Sequence, residues 1–529
     1  MQKKLRRKAS KVDYSLLIKR QILSYLEDLK DKDCTVGQLD RSMKKLFSMG
    51  DLVVPVCLSK LRESDEELAP IVCYALEYAN DYRLVDPLMD ILVMPQVSDK
   101  VKARILSVLS HYGVDTGDLP LTSIMKDFEK VVTQSLVEMI EDINRDYFLI
   151  PYILDDLQDF PPEVKLAYIR DIGEQRLEKA VILLEILGKV DDVPVAEEAA
   201  KALGKIKSGK ALYALNKVFR EVADEQVKRT LEREIRRLKF SGVVEEPYEM
   251  PVNIKKPVKM MLSSIDGLGS RVLWIAWRNP VKKRRLCSMN LLLNVSDGIR
   301  DCWSISQMTG REFENSVKDL SRSTIIVEAD AQYAVTLMRD AYYRNLKEGN
   351  PIPYQFFFWK GIVEESLSCR ISPKPYSPDF SMYDLSSIMA DENYFKSTFD
   401  LFNYRLFEDW FVAEPRVYDY AEEHKSKNGY YIKKMTISKA ENLFFKFAAE
   451  LVEPRVETLK RMLELAADFL NKMGERELVK VVLSALLHLD STPLHHHPFI
   501  QRMIIESLRV ALVNMKNGFD MRVNPEAFD

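Results

Sequence analysis

VKLAYIRDIGE (164–174), VAEEAAKALGK (195–205) and VKRTLEREIRR (227–237) begin 31 and 32 residues apart, and each places apolar residues at helical spacing. The same step, followed backward, meets VVTQSLVEMIED near Val132, VKARILSVLSHYG at Val101, LAPIVCYALEYA at Leu68 and VGQLDRSMKKLF at Val36. A short break and a second apolar helix follow each start, as in VDPLMDILV (85–93) and KALYALNKVFREV (210–222). A two-helix unit of this length cannot bury both apolar faces alone. Stacked copies bury them for one another, so residues 36–240 are expected to form an α-solenoid.

These residues resemble HEAT repeats, in particular the short variety of phycobilisome-lyase-like proteins, with AAKALGKI (199–206) closest to their consensus. The resemblance implies a helical-repeat fold and a tendency to bind macromolecules, and it implies no reaction. Among enzymes built on such repeats, deoxyhypusine hydroxylases carry His-Glu pairs that bind iron, and this sequence contains no His-Glu dipeptide. Alkylpurine glycosylases use tryptophans on the concave face, whereas the first tryptophan here is Trp274. GKIKSGKA (204–211) comes near the phosphate-loop pattern, but Ala211 replaces its hydroxyl and a helix precedes it where a strand is needed. Gly204 and Gly209 are read as ending one helix and turning into the next.

At 529 residues the chain exceeds one ordinary core. It holds 77 Lys and Arg against 80 Asp and Glu, a net charge of -3, which argues against electrostatic binding of nucleic acid by the molecule as a whole. Local basic runs remain as candidates. The terminus MQKKLRRKASK offers Lys3, Lys4, Arg6, Arg7 and Lys8, and a second run is Lys282, Lys283, Arg284 and Arg285. The six cysteines are scattered without a CxxC pair, which fits a reducing, cytoplasmic setting, and no apolar run is long enough to span a membrane.

The pattern changes after SGVVEEPYEMPVNIKKP (241–257), which reads as a linker. RVLWIAW (271–277), LCSMNLLLNV (286–295) and IRDCWSISQM (299–308) suggest an antiparallel meander with a tight turn at Asp297-Gly298. STIIVEA (323–329) and PYQFFFWKGIV (353–363) read as further strands, with a helix between them capped by Asp330 and ended by Gly349. Beyond SPKPYSP (372–378) the chain is helical again; Ser438 and Glu441 suggest a capping box, and Gly474 a helix end. The expected architecture is multi-domain and mainly α. It comprises a basic tail and leading helix (1–35), a HEAT-like α-solenoid (36–240), a linker (241–257), an α+β domain with an antiparallel sheet (258–371) and a C-terminal helical bundle (379–529).

SSIDGLGSRVLWIAW (263–277) holds the candidate ligand residues Asp266, Gly267 and Gly269. A dinucleotide fingerprint needs a helix after its glycines, and here a strand follows. Asp266-Gly267 therefore reads first as a turn with positive φ, and Gly269 as easing entry to the strand. HLDSTPLHHHPF (488–499) supplies candidate metal ligands in His488, Asp490, His495 and His497, although neighbouring histidines point in different directions. No motif calls for a cofactor, and whether the chain is an enzyme stays open. Three functions fit these residues: a scaffold or adaptor that binds a protein partner through the solenoid, a small-molecule-binding or enzymatic α+β domain, and association with nucleic acid.

Overall fold

The structure is a computed structural model that describes residues 14–30, 34–116, 119–248, 254–427 and 429–523. It is mainly α, with a five-stranded sheet in the middle of the sequence, as expected. Contacts divide the chain into two compact units, one of residues up to Tyr147 with Gln307–Glu312, the other of Phe148–Ser306 and Phe313 onward.

The first unit is helical: α1 (Tyr14–Lys30), α2 (Val36–Phe47), α3 (Val53–Arg62), α4 (Ala69–Ala79), α5 (Val85–Leu92), α6 (Asp99–His111), α7 (Leu121–Ile124) and α8 (Phe128–Arg145). Even-numbered α4, α6 and α8 pack in sequence, while α1, α3 and α5 form the layer behind. Between the layers lies one apolar core that includes Ile22, Leu46, Cys57, Leu76, Ile91 and Ile105. Thr35 opens α2 with a reciprocal capping box to Gln38, satisfying amides that a helix start leaves without partners. The Glu312 carboxylate accepts hydrogen bonds from Thr35 Oγ1 (3.0 Å) and Arg41 Nη2 (3.1 Å), which ties the Gln307–Glu312 segment to the same corner.

The second unit continues the helix pairs with α9 (Ile150–Asp159), α10 (Pro162–Glu174), α11 (Val181–Leu187), α12 (Val193–Ile206), α13 (Gly209–Glu221) and α14 (Glu225–Phe240). The first helices α10, α12 and α14 stack side by side, as do α11 and α13 behind them. Polar bonds lock the front layer: Arg170 to Glu198 (3.2 Å), Lys205 to Glu174 (2.6 Å) and Thr230 to Glu197 (2.6 Å) each cross from one helix to the next. Gly204 does not end α12, which runs on to Ile206 and is capped by Lys207 in the left-handed region. A Cβ at 204 would lie 2.3 Å from the Glu234 carboxylate of α14, whose side chain would have to shift to make room. Residues 241–248 of the expected linker run against α13. Glu246 N bonds Gly209 O (3.1 Å), and Tyr248 meets Tyr213 edge-on.

Strands β1 (Lys259–Ser263), β2 (Ser270–Arg278), β3 (Leu286–Asn294), β4 (Gly298–Met308) and β5 (Ile326–Glu328) form a sheet in the order β4-β3-β2-β1-β5. The pairs β1–β2, β1–β5 and β2–β3 are antiparallel, with Leu273 opposite Leu291 and Ile275 opposite Met289. Gly298 turns the chain at φ 88°, where a Cβ would also strike Ala341 O at 2.4 Å. Helices α15 (Gly310–Leu320), α16 (Ala331–Glu348) and α17 (Tyr354–Leu367) follow, and α16 has the Asp330 cap and Gly349 end read from the sequence.

The expected strand PYQFFFWKGIV is instead helix α17. Phe356, Phe357, Phe358 and Trp359 are all buried, so the run is apolar all round and carries neither a period of 2 nor one of 3.6. Trp359 stacks on Trp277 of β2 (5.3 Å) and donates to Ser304 Oγ (2.6 Å), while Phe358 packs edge-on to Phe148. The C-terminal helices are α18 (Leu385–Ala390), α19 (Glu392–Ser397), α20 (Pro415–Glu423), α21 (Ile437–Phe447), α22 (Val456–Met473), α23 (Arg476–His488) and α24 (Pro498–Lys516), with a π-helical turn at Ala448–Val452. The expected capping box at Ser438 is absent, since α21 begins at Ile437 with Thr436 at its N-cap and no side-chain cap. Gly474 ends α22 in the left-handed region, as read.

Candidate functional site

The turn before β2 is built by its own polar groups. Asp266 Oδ1 accepts from Leu268 N (3.0 Å) and Ser270 N (2.7 Å), and Asn294 donates to Leu268 O (3.1 Å) and Ser270 Oγ (2.9 Å). The positive φ falls on Gly269 (78°), not on Gly267. Glycine at 267 answers a different need: a Cβ there would lie 1.9 Å from Asp409 O and 2.9 Å from Trp410 Cα. Trp410, itself buried, donates its indole N–H to Ile265 O (3.3 Å). The loop that most resembled a ligand cradle thus holds the backbone of residues 409 and 410. The Asp266 carboxyl is raised by burial, and the Asp409 carboxyl is pushed up to about 6 by burial and by the charge of Asp266, although much of the Asp409 surface meets water.

Gly269 also borders a small cavity of about 20 Å³, room for one or two waters, lined by Arg271, Asn294, Leu337, Asp340 and Leu465 among others. Strand alternation puts Arg271 on the face of β2 that buries Leu273, Ile275 and Trp277. Its side chain is 6% exposed, its Nη1 has no hydrogen-bond partner, and among the described residues it has no ion-pair partner. Around it stands a buried polar group drawn from α16, the 372–384 segment and α22. Tyr333 and Tyr376 both donate to Asp468 Oδ2 (2.6 and 3.1 Å), Arg461 Nη2 donates to Asp340 Oδ2 (2.8 Å), and Tyr376 N donates to Asp340 Oδ1 (2.9 Å). Burial and the Asp468 carboxylate hold both phenols well above their ordinary range, against the opposing pull of Arg271. In the sequence Arg271 stands as the first letter of an apolar strand. The signal was present: an arginine on the same alternation as leucine, isoleucine and tryptophan.

The histidine segment does not converge. His488 stacks on Phe395 (4.1 Å) and bonds Ser484 O (2.8 Å). His497 is buried, bonds Ala485 O (3.0 Å) and meets the same Phe395 edge-on. Asp490 pairs with Lys460, and His495 packs against Phe445. Among the described residues no group of three or more His, Cys, Asp or Glu is placed to hold a metal ion. Asp490 and His495 instead rim an open groove of about 540 Å³ whose walls include Phe445, Ala448, Val456 and Leu494. Burial lowers the His497 imidazole to about 4.

Lys282–Arg285 form the hairpin loop between β2 and β3, held by Asn279 Oδ1, which accepts from Val281 N (2.9 Å) and Lys282 N (2.7 Å). Lys283 and Arg284 are exposed, and Lys282 and Arg285 half-buried. Lys3, Lys4, Arg6, Arg7 and Lys8 lie outside the described residues. Lys210, part of the phosphate-loop look-alike, pairs with Glu178 (2.7 Å) between two helices. All six cysteines are free, and no described helix is long and apolar enough to cross a membrane.

No family model matches the chain, and neither does any curated protein. Among solved structures, one match is human deoxyhypusine hydroxylase in complex with glycerol, 15% identical over 43% of this chain and 99% of that one, with a TM-score of 0.17. A score this low carries no argument about fold or function.

Proposed function

We propose that the chain is a HEAT-repeat protein of the short, phycobilisome-lyase-like variety, acting in the cytoplasm as a scaffold that holds a protein partner on its stacked helices. The supporting observation is the front layer α10–α12–α14, whose bonds Arg170–Glu198, Lys205–Glu174 and Thr230–Glu197 tie successive helices into one extended polar face. A surface fixed before binding loses little conformational freedom when a partner docks, which suits recognition of a large ligand. A photo-crosslinking residue placed at Val164 or Lys201 of the full chain tests this in native extract treated with nuclease. The expected result is one discrete protein adduct from both positions and none from exposed Val513 on α24. Equal capture from all three positions, or none from the first two, removes the scaffold reading.

A second reading, small-ligand binding by the α+β part, is favoured by the partnerless guanidinium of Arg271 beside Gly269. Chloride, small enough for the cavity, titrated by thermal shift against the wild type and Arg271→Met, tests it. A rise seen only in the wild type supports the reading, and identical behaviour of the two proteins ends it.

A further inference from the structure

Helix α14, EQVKRTLEREIRRLKF, is the last front-layer helix of its stack and packs against α12 and α13. Its buried residues Val227, Thr230, Leu231, Glu234, Ile235 and Leu238 share one side. At about 100° per residue, Arg229, Arg233, Arg236 and Phe240 fall in a single narrow stripe on the opposite side. All four are exposed; Arg233 keeps 63% and Arg236 72% of its side chain in solvent, and Phe240 is 92% exposed.

The end of a helical stack needs a polar outer face for solubility, and that need accounts for charge. It accounts for neither the sign nor the phenyl ring. The helix carries Lys228, Arg229, Arg233, Arg236, Arg237 and Lys239 against Glu225, Glu232 and Glu234. Glu234 is buried and engages Arg233 and Arg237, and Glu232 engages Arg236, which pins guanidiniums while leaving them open on the water side. Arg229 and Lys239 have no ion-pair partner among the described residues. The three stripe arginines span about 10 Å of helix, and the ring follows about 6 Å further on.

We propose that this outer face of α14 binds single-stranded nucleic acid, with Arg229, Arg233 and Arg236 on neighbouring phosphates and Phe240 stacked on a base. Arginine suits phosphate because its planar fork bonds two oxygens at once. A free aromatic ring at the end of a cationic track is the sequence-tolerant element of single-strand binding. An acidic peptide would use the arginines but not the ring. The overall charge of -3 makes the interaction local to this stripe.

Fluorescence anisotropy of the full chain with a labelled 20-nucleotide mixed-sequence DNA and its RNA counterpart, from 25 to 200 mM KCl, tests the proposal. Three phosphate contacts predict a slope of log affinity against log salt near about -2. Changing Arg229, Arg233 and Arg236 together to Gln should weaken binding at least tenfold at the lowest salt and flatten most of that slope. Phe240→Ala should weaken binding at least threefold at every salt while keeping the slope, since stacking releases no counterions. Phe240→Ala alters an exposed side chain and should melt with the wild type; the triple variant also loses the Arg233 bond to buried Glu234, which keeps Arg237, so Arg229→Gln with Arg236→Gln, which leaves that bond intact, is the control and should still weaken binding and flatten the slope. The proposal is overturned if the triple variant binds like the wild type, or if changing Lys3, Lys4, Arg6, Arg7 and Lys8 to Ala alone abolishes binding. It is equally overturned if polyglutamate displaces the oligonucleotide at matched charge and Phe240→Ala has no effect, which would make the face a site for acidic protein.

Discussion

Gly267→Ala is a direct test of whether the loop ahead of β2 is filled by the chain itself. Gly267 has no positive φ, so alanine meets no backbone penalty there, and the only cost is space. The new Cβ would sit 1.9 Å from Asp409 O and 2.6 Å from Asp409 C, both backbone atoms that cannot rotate away. Ordinary contact requires a retreat of roughly 1.4 Å by the 409–410 segment, as overpacked sites force. That movement lengthens the Trp410–Ile265 hydrogen bond beyond use and lifts the indole from Phe407 and Phe499. Overpacking costs about 1–3 kcal/mol and a buried donor left without its acceptor about 1–3 kcal/mol. Restricting the unfolded chain returns about 0.4–1 kcal/mol, so the net loss should be about 1–5.5 kcal/mol. Urea unfolding followed by tryptophan fluorescence suits the question, because Trp274, Trp277, Trp303, Trp359 and Trp410 all belong to the second unit. Gly361→Ala inside α17, where nothing lies within 4 Å of the new methyl, should shift stability the other way by up to about 1 kcal/mol. An unchanged midpoint for Gly267→Ala would refute the reasoning and reopen the loop as a ligand site.

Three further outcomes concern His497, Asp409 and the Arg461–Asp340 pair. The imidazole of His497, lowered to about 4 by burial, is neutral in the native state while the unfolded chain takes up a proton below about 6.5; stability should therefore fall as pH drops from about 6.5 toward 4, by up to about 3 kcal/mol, and His497→Gln should lose that dependence in urea midpoints. Asp409 acts in the opposite sense: its carboxyl, raised to about 6, favours the protonated native state, so its contribution is full below about pH 4 and lost as pH rises through 6, and Asp409→Asn should flatten that component of the same pH series. Arg461→Met takes from the buried Asp340 carboxylate its nearer guanidinium, leaving Arg344 at 3.6 Å and the Tyr376 amide, and should cost about 1–3 kcal/mol, whereas adding Asp340→Asn should recover part of that loss in a double-mutant cycle by urea unfolding; strict additivity would mean the pair is not coupled.

The helix pairs were legible because their signal is local and repeated. Helices begin at Pro162, Val193 and Glu225, two residues before the starts read from the apolar pattern, since the first turn of a helix carries a cap and acidic or proline residues in place of core side chains. The meander was legible for a related reason: Asp297-Gly298 and the Asn279 loop are turn chemistry written in adjacent residues. Asp330 and Gly349 bounded α16 in the same way.

What the sequence by itself determined, then, is what each stretch does with its near neighbours: the period of the helix pairs, the helix ends at Asp330, Gly349 and Gly474, and the turn at Gly298. The contacts that decide the sites join residues far apart in the chain. That Phe356–Trp359 is helical was not legible, because apolar surface surrounds it on every side and burial all round erases the period that would have told helix from strand. Gly267 earned its place through Asp409, and Arg271 acquired its surroundings from Asp340, Arg461 and Asp468. The four candidate metal residues, neighbours in sequence, were parted because His488 and His497 pack on Phe395 and bond carbonyls of α23, while Asp490 pairs with Lys460 and His495 packs on Phe445. The arginines of α14 form a stripe only because the fold buries the other side of their helix. Desolvation and close approach are properties of the packed state, and one-dimensional spacing records neither.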